Sequence, residues 1–167
     1  MSQSIGQSLL GEFDLEMANS RKTLERVPED RGEFRPHPKS MTLARLAGHV
    51  SEMPMWALMT LSGDGLDLSA GGVAAVMTSR ADTLARFDEN LTQARERLTR
   101  CSDADMMKTW TLRRGDRVIL AMPRIAVLRG FVMNHMIHHR AQLGVYLRMN
   151  DVPVPSLYGP TADEGGM

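Results

Sequence analysis

Asn134-His135-Met136-Ile137-His138-His139-Arg140-Ala141-Gln142-Leu143-Gly144-Val145-Tyr146-Leu147-Arg148 carries three of the chain's five histidines within five residues. Pro123 suits the first turn of a helix, and Val152-Pro153-Val154-Pro155 forbids its continuation, so the longest helix is predicted from Pro123 to about Asn150. On a helix turning about 100° per residue, His135 and His139 lie about 40° apart and share an apolar stripe with Leu128, Val132 and Tyr146. The same wheel puts Gln142 on that stripe, His138 at its edge and Arg140 on the far side. Buried imidazoles need partners, because each unpaired polar group in a core costs about 1–3 kcal/mol. Two imidazoles one turn apart can share one metal ion, at nitrogen–zinc distances of roughly 2.0–2.1 Å. The H-x-x-x-H spacing also occurs on ordinary surface helices.

Three more apolar stripes precede this helix. Leu9, Phe13, Met17, Ser20, Leu24 and Val27 recur at steps of three or four and predict a helix over 5–27, with Glu12, Glu16 and Arg21 mostly off its apolar face. Ser40 or Thr42 caps a second helix through Leu43, Leu46, Ala47, Val50, Ala57, Leu58 and Leu61. Pro54 would collide with the Val50 carbonyl and predicts a kink just after His49. Gly63-Asp64-Gly65 and Ser69-Ala70-Gly71-Gly72 mark a long loop. Ser79 with Asp82 then caps a third stripe of Leu84, Phe87, Leu91, Ala94 and Leu98. Trp110–Leu112 and Val118–Leu120 flank a turn at Gly115-Asp116, which is either a β-hairpin or an irregular loop. The expected architecture is all-α: a four-helix bundle with long connections and at most one small hairpin near 109–120. One domain spans 1–160, followed by a polar, flexible C-terminal tail over 161–167.

Composition narrows the function. The chain has 167 residues, 43% apolar and 24% charged, as an ordinary single globular domain has. Twenty basic residues balance twenty acidic ones, which argues against a general nucleic-acid binder. The cluster Arg113, Arg114 and Arg117 is then a solvated turn. With one cysteine there is no internal disulfide. No apolar run approaches the ~20 residues that cross a bilayer, and the N-terminus lacks the basic and apolar regions of a leader. The expectation is a soluble cytoplasmic protein with no nucleic-acid or membrane partner.

A third ligand would have to come from another helix, and His49, at the edge of the second stripe, is the candidate. Its ordinary alternative is a core histidine hydrogen-bonded to a carboxylate or carbonyl. Three histidines would leave positions open for water or substrate, as in catalytic rather than purely structural sites. Glu52, one turn from His49, either orients an imidazole, acts as a base, or is a surface carboxylate. His138 either supports the site or sits at the bundle edge, and Gln142 either hydrogen-bonds near it or is a satisfied core amide. Cys101, at the end of the third helix, is a poor nucleophile because the helix dipole there disfavours a thiolate. His37, between two prolines, is an exposed loop residue. No residue is assigned a catalytic role.

The segments Met41-Thr42-Leu43-Ala44-Arg45-Leu46-Ala47-Gly48-His49-Val50-Ser51-Glu52-Met53-Pro54 and Asn134 to Arg148, with Asp151 to Pro160 after them, resemble the DinB-like (DinB/YfiT-type) four-helix metalloproteins. The likeness covers nearly the whole chain, and its most specific parts are G-H-V-x-E-x-P and N-H-x-x-H-H-R-A-Q-L-G. It implies one divalent metal ion per chain, nickel or zinc, held by His49, His135 and His139, in a homodimer. It also implies a metal-dependent transferase or hydrolase acting on a small molecule, with a low-molecular-weight thiol as one substrate. The alternative is a non-enzymatic metal-binding scaffold or sensor dimer associated with stress. In the enzyme reading, the metal lowers the pKa of a bound thiol or water, which then attacks an electrophile.

Overall fold

Four helical rods carry the fold, and each begins where the sequence supplies a cap or a proline. The computed structural model describes residues 3–72 and 74–165. Helix α1, Ile5–Leu24, starts in a capping box: Gln7 N–H donates to Ser4 Oγ, and Ser4 N–H donates back to Gln7 Oε1, both at 3.2 Å. Helix α2, Leu43–Ser51, is capped by Thr42, whose hydroxyl accepts from Arg45 N–H. Helix α3, Met53–Ser62, follows after a break at Glu52. Pro54 stands at the second position of α3, where its missing donor leaves nothing unsatisfied, so the expected kink falls three residues beyond His49. Helix α4, Arg80–Arg100, starts at the expected Ser79 cap, and a single turn, α5 (Asp103–Met106), follows it.

The segment expected to be a plain loop after Gly63 contains a short strand. Strand β1, Gly65–Asp67, runs parallel to β2, Thr109–Arg114, which pairs antiparallel with β3, Arg117–Pro123. The hairpin therefore forms, turning at Gly115 with φ 58°, and gains a third strand that no local alternation announced. Long-range pairing supplies β1's partners, which a local pattern cannot show.

The last rod comprises α6 (Arg124–Ala126), a π-helical stretch Val127–Met133, and α7 (Asn134–Met149). This stretch corrects the helical wheel. Wide i→i+5 turns amount to about one inserted residue, or about 100° of rotation, so positions before and after it do not share one phase. The buried face of α7 is Met136, Arg140, Leu143 and Leu147, each 2% exposed or less. His135 and His139 lie half-buried on the flank of that face rather than in its middle, Gln142 is exposed, and Arg140, placed by the wheel on the far side, is in the core.

Helix α1 packs on α4 and α7, α2 on α7, and α3 on α4, so the rods close one bundle. Phe13, Met17, Leu46, Val50, Phe87, Leu98, Leu143 and Leu147 fill its centre at 2% exposure or less, each contributing roughly 1.5–3 kcal/mol by burial. The polar segment after Pro160 lies against the bundle: Asp163 pairs with Arg148, and Glu164 pairs with Arg26 and accepts from Ser156 N–H. Gly166 and Met167, the end of the expected tail, lie outside the described residues. Among the described residues no helix is long and apolar enough to cross a membrane.

Candidate metal centre

His49 comes from α2, and His135 and His139 come from successive turns of α7, which packs on α2. Their ring nitrogens all lie within 4.8 Å of one another. The Nε2 atoms of His49 and His135 are 3.3 Å apart, and those of His139 and His135 are 2.8 Å apart. Two ligands at roughly 2.0–2.1 Å on a tetrahedral ion would stand about 3.3 Å apart, which the His49–His135 pair matches, while the His135–His139 pair at 2.8 Å stands closer than that.

The other ring nitrogens decide the chemistry. His49 Nδ1 is 3.2 Å from Glu52 Oε2, a carboxylate that can only accept, so Nδ1 carries the proton. His139 Nδ1 is 2.8 Å from Gln142 Oε1. The amide nitrogen of Gln142 in turn stands 3.1 Å from His138 Nε2. The Phe131 carbonyl lies beside the His135 ring and favours its protonated form. His49 thus spends its proton outward on Glu52, and the three imidazoles bring their Nε2 atoms together. Three converging ring nitrogens could hold a shared cation, and a carboxylate and an amide outside them are partners of the kind that orient histidine ligands.

Electrostatics agree. Burial, aided by the His49 and His138 rings, lowers the His135 pKa. Burial, opposed by the Gln142 hydrogen bond and aided by the other histidines, pushes His139 down to about 4. These rings therefore stay neutral, as ligands must. Burial works to raise the Glu52 carboxyl, but the hydrogen bond from His49, the Ala75 N–H and the Arg45 charge outweigh it and hold the pKa below the usual carboxylate value.

Glu52 is itself held. Ala75 N–H donates to its Oε1 at 2.8 Å, and Arg45, which donates to the Ala75 carbonyl at 3.0 Å, stands 3.7 Å from its Oε2. Gly48 makes this approach feasible: a Cβ there would sit 2.3 Å from the Ala75 oxygen. Glycine immediately before His49 was the sequence signal for this packing, and it was legible only as part of a motif. Arg45 and the Phe131 carbonyl were not foreseen. Trp56 stacks edge-on against Phe131, and Phe131 packs against the His135 ring, giving the site an apolar wall.

The expected residues separate as follows. His49, His135 and His139 come together, Glu52 and Gln142 each bond one of them, and His138 reaches the trio through Gln142. His37 is exposed on its loop. Cys101 caps the end of α4, where burial and the neighbouring Asp105 raise its thiol pKa, away from nucleophilic use. A cavity of about 470 Å³ abuts His49 and Glu52.

Residues 12–143 match the family model of the DinB superfamily. The fold is similar to that of a DinB-like protein from Bacillus cereus, with a TM-score of 0.70 at 22% identity, covering 95% of this chain and 100% of that one. A DinB-like protein from Bacillus subtilis aligns with a TM-score of 0.68 at 15% identity, covering 90% and 96% of the two chains. At such identities the likeness is one of fold. No curated protein matches the chain.

Proposed function

This chain belongs to the DinB superfamily, and on that premise we propose that it holds one divalent cation, nickel or zinc, on His49, His135 and His139 and acts as a transferase or hydrolase on a small molecule. The observation that carries the proposal is the convergence of three imidazole nitrogens from two helices, with the His49 ring proton committed outward to Glu52. A cation bound there would supply Lewis acidity and lower the pKa of a coordinated water or thiol. Glu52 holds the Nδ1 proton of His49, Gln142 stands against Nδ1 of His139, and the Phe131–Trp56 pair keeps one side of the trio apolar. A three-histidine set is typical of sites that leave room for a substrate. The adjoining cavity supports the enzyme reading over a closed scaffold, since its 470 Å³ falls in the range of small-molecule pockets. The proposal extends to a low-molecular-weight thiol as co-substrate and to a cytoplasmic homodimer, both resting on the family likeness.

Metal analysis of the purified chain, followed by titration with nickel and zinc, tests the centre. One ion per chain is expected, lost in His135→Ala and His139→Ala with helical content retained. An ion kept by both variants, or a wild type that binds none, would remove the proposal. For the reaction, conjugation of glutathione or cysteine to an aryl halide, stopped by a chelator, is expected. No turnover with either thiol would sink the thiol reading.

A further inference from the structure

The cavity beside His49 has a chemistry of its own. Apolar side chains of Met55, Trp56, Leu66 and Leu68 make its body, and two guanidinium groups, Arg45 and Arg114, reach its lining from opposite elements, α2 and β2. Two carboxylates also line it, but both are spent. Glu52 accepts from Ala75 N–H and His49 Nδ1. Asp67 accepts from the Ser69 backbone and hydroxyl and from Gly115 N–H, and lies 3.3 Å from Arg113. Arg114 has no carboxylate partner among the described residues, whereas Arg45 donates Nη1 to the Ala75 carbonyl and pairs with Glu52 at 3.7 Å. The cavity thus offers one uncommitted guanidinium, Arg114, above an apolar floor, with Glu52 balanced by Arg45 and Asp67 by Arg113.

We infer that this cavity is the substrate pocket of the proposed metal centre and that it takes a small amphipathic carboxylate, its anionic head on Arg114 and its apolar body against Trp56, Leu66 and Leu68. The inference rests on the metal-site reading only in naming the pocket's role; the ligand preference follows from the lining. Guanidinium groups favour carboxylates through paired N–H donors in a fixed plane. The strand β1 that no local pattern announced is what delivers Leu66 to this wall.

The test uses the zinc-loaded full chain and three probes of one shape: 4-phenylbutyrate, 4-phenylbutylamine and 4-phenylbutan-1-ol. Binding is read by calorimetry and by the fluorescence of Trp56, since Trp110 is fully buried. The carboxylate is expected to bind at least about tenfold tighter than the amine and the alcohol, as a charge-assisted pair requires. Arg114→Gln, at an exposed position, should remove most of that preference with zinc content unchanged. Arg86→Gln, which makes the same change in net charge on an exposed face of α4, should leave it intact. A preference for the amine or the alcohol overturns the inference. So does a carboxylate preference that survives Arg114→Gln, because the head would then sit on the metal or elsewhere. Zinc content separates the two readings. A chain that binds no zinc yet keeps an Arg114-dependent carboxylate preference fails as a metal centre and keeps its pocket. A chain that binds zinc without the preference loses the pocket and keeps the centre.

Discussion

His139 and Arg140 are neighbours on α7, yet they head two polar clusters of opposite kinds. Arg140 turns into the core and finds a complete set of partners. Its guanidinium donates to Glu16 Oε2 at 2.7 Å, to the Glu16 carbonyl at 2.9 Å and to Ser20 Oγ at 3.2 Å, and Tyr158 donates to the same carboxylate at 2.6 Å. Positive and negative charge meet inside the chain, and the pair is 2% and 7% exposed. On the flank of the same helix, His135 and His139 with His49 bring ring nitrogens together, and among the described residues no acidic side chain stands between them. One cluster is balanced by the fold. The other is arranged by the fold and, in the proposed reading, completed by an added cation.

That contrast can be broken experimentally. His135 stands between the other two rings, so His135→Ala should abolish stoichiometric metal binding, taking metal content from one ion per chain to none while Arg140 and Glu16 stay folded in place; circular dichroism and metal analysis report both. Arg140→Met should do the reverse. Leaving Glu16 buried without its countercharge should cost about 3–5 kcal/mol, lowering Tm by about 10 °C at unchanged metal content. Glu16→Gln combined with Arg140→Met should recover most of that loss in the same melting experiment. Removing an outer partner sharpens the comparison further. Glu52→Ala should weaken metal affinity about 10–100-fold in a competition titration, and Gln142→Ala should weaken it less, because water can replace an exposed amide.

The smallest effect is one of pH. The pKa of His139 is held at about 4 against the ordinary 6.5 of a histidine. A base whose folded pKa is lowered contributes stability that is complete above its unfolded value and lost as pH falls through that value toward the folded one. The metal-free protein should therefore lose stability between about pH 6.5 and 4, with no further loss from this group below. Bound metal should be released over acidic pH as protons compete for the same Nε2 atoms. Melting curves across this range, with and without metal, check both, and a flat metal-free profile would count against a neutral His139.

Side by side with its structure, the sequence was most legible where the physics is local. Thr42, one of the two expected candidates, and Ser79 cap their helices, because a cap depends on a few neighbouring residues. The His135/His139 pair was visible because spacing within one α-helical segment fixes angle. The chain did not announce strand β1, which exists through pairing with β2 some forty-five positions away. Nor did it announce the burial of Glu16 and Arg140: each looks like a surface charge alone, and only the packing of α1 on α7 joins them.

The amino-acid sequence by itself determined four amphipathic helices, their starts, and which histidines stand one turn apart, because these follow from periodicity and nearest-neighbour hydrogen bonding. Tertiary structure alone decided that His49 meets the pair, that Glu52 takes the His49 ring proton outward, and that His135 and His139 sit on the flank of α7. The π-helical stretch Val127–Met133 rotates α7 relative to the chain before it. Such a rotation depends on how the helix packs, which a wheel drawn at constant pitch does not contain.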